Sequence, residues 1–274
     1  MKTIDTIELF PVINDNLIAL LKSLNINDFN KSTHFSNWKV KDICAHLLDT
    51  SLRKLSSERD GYTSAEKVDI KSYEELISHI TNIADRWAIA LSGLSPQIII
   101  ELIVKYQNEL YEYLKMLDPY GESHFPVSWA GEEKSYNWFD IAREYTERWH
   151  HQMQIREAVS KEPLYERELY YPVLDTFMQA LPYHFRNIEK DNGYILCVTI
   201  TGTAGGKWYL EWNAGLDLVK TPKGSVQTEL IIEQDNAWKI FTRWSDRSVY
   251  KINVHGDESL GEHLKAMNCL MIKN

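Results

Sequence analysis

The chain has 274 residues, of which 44% are hydrophobic and 25% charged, and its formal net charge at pH 7 is −9. This composition is typical of a globular protein, and the length is enough for one large or two moderate domains. The net negative charge argues against binding along a nucleic-acid backbone or on an anionic membrane surface, since both need a basic face. We therefore expect small-molecule partners, and neither nucleic acid nor membrane.

The cysteines predict a reducing environment. Cys44, Cys197 and Cys269 are odd in number and show no CxxC spacing. This indicates free thiols in a cytoplasmic protein, with Cys44 buried as a small hydrophobe. No apolar run approaches the roughly 18 residues that a membrane span needs, and the N-terminal residues lack the pattern of a secretory signal.

Apolar residues at helical spacing predict that the first part of the chain is helical throughout. Ser72 followed by Glu75 has the pattern of a capping box, and Pro96 stands at an N-terminal helix position that tolerates proline. The predicted helices cover residues 6 to about 24, 38 to about 55, the segments after Ser72 and Ser95, and 138 to about 159. They are enough for an all-α bundle of four or five helices, and we predict a four-helix bundle at residues 1–165.

After Pro163 the pattern changes to short strands mixed with helices. Strands predicted at 194–200 and 207–212 flank a glycine turn and form an antiparallel pair. Further strands are predicted at 216–219, 226–232 and 249–254, and helices at 169–185, 236–243 and 260–267. We therefore expect a small α+β domain with a mostly antiparallel sheet at residues 166–274.

One helical stretch carries candidate metal ligands. Glu147 and His151 are four residues apart, so both lie on the same helix face. His46 on the second helix is the best third ligand, and two imidazoles with one carboxylate form a common catalytic zinc set. Two alternatives stay open on spacing alone. One is an ordinary helical ion pair beside a structural histidine, and the other is that His150 takes the place of His151.

The motif WxVxDIxAHL at residues 38–47 resembles the first ligand motif of the DinB-like bundles. More specifically, it is similar to the N-terminal domain of the mycothiol-dependent maleylpyruvate isomerase family. The resemblance implies that His46, Glu147 and His151 bind a divalent metal, most readily zinc and alternatively nickel. It also favours His151 over His150, because the second histidine of that pair is the ligand in the family.

The second domain is similar to the sterol-carrier-like C-terminal domain of the same family. The similarity rests on Gly205-Gly206 before Trp208, on residues 238–242 and on the motif VxGD at 254–257. In the family, an arginine shortly after the position of Thr242 binds substrate. In this chain the arginine that would take this role, Arg243 or Arg247, is displaced from that position. The displacement leaves open whether the chain isomerises maleylpyruvate or acts on another electrophile.

The resemblance implies a metal-dependent enzyme whose cosubstrate is a low-molecular-weight thiol such as mycothiol or bacillithiol. The thiolate would either be transferred or add to a double bond, allow rotation and leave, which gives cis–trans isomerisation. A metal-binding protein without catalysis and a binding module for an apolar small molecule are the alternatives. We expect a monomer or a homodimer.

Overall fold

The structure, a computed structural model, describes residues 3–34, 38–62, 70–242 and 249–269. Its contacts divide the chain into two compact units, each built from separated segments. A helical unit comprises mainly Thr6–His124 and Glu147–Pro163, and an α+β unit comprises mainly Phe125–Thr146 and Leu164–Leu270. The predicted domain boundary between residues 165 and 166 stays a prediction.

The helical unit is formed where apolar residues recur at helical spacing. Ser72 caps its helix as predicted, because its hydroxyl accepts a hydrogen bond from the Glu75 amide at 3.1 Å. The helix that begins at Val40 continues beyond Lys54 as one π-helical turn, Leu55–Arg59. The helices are α1 Phe10–Lys22, α2 Ile26–Phe29, α3 Val40–Lys54, α4 Tyr73–Leu91, α5 Pro96–Lys115 and, from Glu147 onward, the second half of α6 Asn137–Ala158.

Helix α3 lies at the centre of this unit, because it contacts both α4 and α5, while α1 packs against α5. Its buried apolar face includes Ile43, Cys44 and Leu47. The predicted helical content is confirmed, and the four-helix arrangement stays a prediction. In the part of the chain that the structure describes, every helix is too short or too polar to cross a membrane.

The α+β unit contains a five-stranded mixed sheet with the strand order β3-β2-β1-β4-β5. Three of its neighbouring pairs are antiparallel, as predicted, and β1 pairs with β4 in parallel. The strands are β1 Ile195–Thr201, β2 Gly206–Trp212, β3 Leu216–Val219, β4 Thr228–Glu233 and β5 Asn253–His255. The helices of this unit are the first half of α6, α7 Arg167–Met178, α8 Leu181–His184, α9 Gln234–Phe241 and α10 Glu258–Lys265.

Two predicted elements differ from the structure. The helix predicted at 169–185 is interrupted between α7 and α8, because the ring of Pro182 cannot follow the carbonyl of Met178 in a continuous helix. The strand predicted at 249–254 is only three residues long. It begins at Asn253, because β5 pairs with three residues of β4 and no more among the described residues.

Candidate metal centre

Helix α6 brings Glu147 and His151 together. They occupy positions i and i+4 of the helix, and the Nε2 atom of His151 lies 3.2 Å from Oε2 of Glu147. The imidazole of His151 is fully buried, whereas 25% of the Glu147 side chain is exposed. The pair therefore offers one nitrogen and one oxygen as possible ligands. Solvent reaches the carboxylate side of the pair and not the imidazole.

Helix α3 adds His46 to this pair. Its ring centroid lies 4.7 Å from that of His151, with the two rings nearly perpendicular. One potential ligand atom from each of His46, Glu147 and His151 lies within 4.8 Å of the other two. The structure thus brings together the three residues that the sequence predicted as ligands, and their binding of a metal stays a prediction.

Burial keeps the imidazole of His46 uncharged. Its pKa is well below the ordinary value, chiefly because the ring is removed from water. The neighbouring His151 and the positive charges of Arg53 and Arg148 lower the pKa further. A neutral imidazole has a lone pair free for a cation, so the electrostatics of the site suit a metal ligand.

Hydrogen bonding around the histidines also suits a metal. The Nδ1 atom of His151 lies 2.9 Å from Oε1 of Gln154. An amide oxygen only accepts, so Nδ1 carries the proton and Nε2 has the lone pair. Among the described residues, Nδ1 of His46 and Nε2 of His151 are buried without a hydrogen-bond partner. Two buried imidazole nitrogens without partners, beside a carboxylate, fit a divalent cation.

His150 stays outside the convergent group. It is fully buried, and its ring centroid lies 4.6 Å from that of His151. The group of converging ligand atoms found among the described residues contains His151 and not His150. Burial, followed by His151 and His46, lowers the pKa of His150 well below its ordinary value. His150 is therefore a neutral neighbour of the centre.

Two residues beside the centre, Gln154 and Trp38, belong to the stretches that carry the resemblance but were given no role from the sequence. Gln154 lies one helical turn beyond His151. This spacing alone could have indicated that the two side chains meet. The ring of Trp38 lies 5.3 Å from His46, and its Nε1 donates a hydrogen bond to Asp85 at 2.9 Å. The predicted substrate-binding residues Arg243 and Arg247 lie outside the described residues.

The cysteines take no part in the centre. Cys44, Cys197 and Cys269 are buried, and none of the three forms a disulfide. Burial raises the pKa of the Cys44 thiol to about 12, so it stays protonated at neutral pH. The prediction that Cys44 is a small core residue is confirmed, since it belongs to the apolar cluster around α3.

The chain thus combines a helical unit that carries a His-Glu-His group with an α+β unit built on a mixed sheet. Its fold is similar to that of the mycothiol-dependent maleylpyruvate isomerase. The crystal structure of that enzyme and the crystal structure of a histidine-to-alanine mutant of it both match with a TM-score of 0.57 and 11% sequence identity. Each match covers 95% of this chain and 97% of the other chain.

No protein-family model matches the sequence, and a search of curated proteins found no match. At 11% identity the structural match is evidence for the fold alone. The resemblance noted from the sequence is therefore confirmed at the level of a distant fold similarity.

Proposed function

We propose that this protein is a divalent-metal-dependent enzyme that uses a low-molecular-weight thiol. The reaction is transfer of the sulfur to a small electrophile, or cis–trans isomerisation of one such as maleylpyruvate. The convergence of His46, Glu147 and His151 carries the proposal. Its position in a chain with the fold of a thiol-dependent isomerase supports the choice of reaction.

His46, Glu147 and His151 would hold the cation through two neutral nitrogens and one carboxylate. This donor set is typical of zinc, and nickel is the alternative. Three protein ligands leave a coordination position free, which distinguishes catalytic from structural zinc sites. A cation bound there would lower the pKa of a thiol or water at that free position.

The protein's own residues prepare the centre. Gln154 fixes the tautomer of His151, and burial keeps His46 neutral and away from water. Trp38 restricts the imidazole of His46 by packing against it. A buried protein thiol is not available as the nucleophile, because the cysteines are buried and the pKa of Cys44 is high. The proposal therefore needs a thiol from solution.

Substrate binding by Arg243 or Arg247 is part of the proposal. It rests on the family resemblance, in which an arginine near Thr242 contacts substrate. Replacing each arginine by glutamine in turn, and then both, should raise KM for an acidic electrophile. If the double variant has unchanged kinetics, the family's arginine role does not apply to this chain.

The experiment that tests the proposal is a screen of thiols against electrophiles, run with and without a chelator. We expect turnover that needs both a thiol and the metal and that is lost in His46→Ala. His79→Ala is the matched control, because His79 belongs to the helical unit but not to the ligand group. Turnover that survives metal removal would refute the mechanism. Stoichiometric metal without any turnover would favour the non-catalytic alternative.

A further inference from the structure

Helix α3, which carries His46, also holds an arginine in a fixed orientation. The Nε and Nη2 atoms of Arg53 donate to the two carboxylate oxygens of Asp49, at 2.6 and 2.8 Å. Asp49 is fully buried, whereas 39% of the Arg53 side chain is exposed. The side-on pair uses one edge of the planar guanidinium and leaves the Nη1 end free for another acceptor.

Helix stability alone does not account for this pair. An exposed pair at positions i and i+4 contributes only a few tenths of a kcal/mol. Burying a carboxylate opposes folding unless the charge is well paired, and burial raises the pKa of Asp49 despite the opposing effect of Arg53. What the arrangement does achieve is to restrict a flexible cation to one position.

The helix places Arg53 on the same face as His46, two turns further along α3. Side chains on a helix point back towards its N-terminus, so Arg53 reaches over the turn that contains Asp49. His46 lies one further turn back on the same face, since it precedes Asp49 by three residues. In agreement, the charge of Arg53 is among the causes that lower the pKa of His46. Among the described residues, the hydrogen-bond partners of the Arg53 guanidinium are the two oxygens of Asp49.

We infer that Arg53, oriented by Asp49, is a positioning residue for the carboxylate of a small acidic ligand bound at the candidate metal centre. The inference rests on the proposed function and adds the residue that holds the carboxylate of the ligand. A planar guanidinium binds a carboxylate through two parallel hydrogen bonds, which fixes both distance and orientation. The carboxylate belongs either to the thiol cosubstrate or to the electrophile.

Cobalt-loaded protein can distinguish these two sources without measuring turnover. The visible absorption of bound Co²⁺ would follow titration with 3-mercaptopropionate, with its neutral analogue 3-mercaptopropionamide, and with maleate, which has no thiol. We expect the acid thiol to bind about tenfold more tightly than the amide if the thiol supplies the carboxylate. If the electrophile supplies it, maleate should bind and perturb the spectrum while the two thiols bind alike.

The variants keep the test independent of folding. Arg53→Gln alone leaves Asp49 buried and unpaired, so the double variant Asp49→Asn, Arg53→Gln is the informative one, with thermal unfolding to check its fold. It should reduce the preference for the acid, or the affinity for maleate, by about tenfold. Arg53→Lys should recover only part of the loss, because lysine lacks the planar fork.

Arg59→Gln is the matched control. Arg59 belongs to the π-helical turn that continues α3, has 36% of its side chain exposed and pairs with Asp60 and Glu109. The Arg59→Gln variant should bind all three probes with the affinities of the native protein. If cobalt binds but the double variant matches the native protein for every probe, the inference is wrong and the proposed function stands. If cobalt does not bind, both the inference and the proposed function are overturned.

Discussion

The Nδ1 atom of His151 lies 2.9 Å from the amide oxygen of Gln154, one turn further along the same helix. Both side chains are buried. The hydrogen bond directs the lone pair of Nε2 towards Glu147 and fixes the plane of the ring. Histidines that bind metals commonly donate their second nitrogen in this way, and the partner tunes the affinity.

Replacement of Gln154 by leucine should therefore weaken metal binding by about 10- to 100-fold, because His151 loses both its tautomer and its orientation. A competition titration of Zn²⁺ against a chelating indicator measures the change. Gln107→Leu provides the control, since Gln107 is also buried in the helical unit and lies outside the ligand group. Equal affinities for the two variants would show that Gln154 does not position His151.

Purified protein should contain close to one equivalent of a divalent metal, because a single His-Glu-His group converges in the described residues. Either His46→Ala or His151→Ala should remove it, since two remaining ligands hold a metal weakly. His150→Ala should retain it, although His150 is equally buried. Metal analysis after dialysis measures the content, and full retention by both ligand variants would refute the site.

The metal-free protein should lose stability as the pH falls below about 6.5. Burial holds the pKa of His46 and His150 well below the ordinary value, whereas unfolding returns both to about 6.5. The unfolded chain then binds more protons than the folded one, and the free energy of unfolding falls with pH. Each imidazole contributes up to about 1.4 kcal/mol per pH unit between its folded pKa and 6.5.

Urea unfolding of the metal-free protein between pH 7.5 and 5 tests this dependence. His46→Gln removes one of the two imidazoles whose pKa is lowered and should make the decrease in stability shallower. Bound metal should also shift the decrease to lower pH, because it competes with protons for His46. A free energy of unfolding that stays constant from pH 7 to 5.5 would contradict the prediction.

The cysteines should not react with thiol reagents in the folded protein. Cys44, Cys197 and Cys269 are buried, and burial raises the pKa of Cys44 to about 12 and also raises that of Cys197. An aromatic disulfide reagent at pH 8 should label none of them rapidly and all three after unfolding. Rapid labelling of one thiol would show an accessible nucleophile and would weaken the case for an external thiol.

Much of the fold was predictable from the sequence because helix and strand periodicities are local properties. The spacing of apolar residues located α1 and α3, and the glycine turn before Lys207 located the hairpin of β1 and β2. Periodicity did not predict the break between α7 and α8, where the ring of Pro182 prevails over a continuous apolar pattern. Nor did it predict the parallel pairing of β1 with β4, which depends on a connection through two intervening strands.

By itself, the sequence determined the pairing of Glu147 with His151, since positions i and i+4 of any α-helix share a face. Only the tertiary structure decided that His46, far away in the chain, meets this pair, because the packing of α3 sets that distance. Tertiary structure also places His151, and not His150, in the convergent group found among the described residues. Adjacent residues point about 100° apart around a helix, and only the position of the partner helix selects which imidazole faces it.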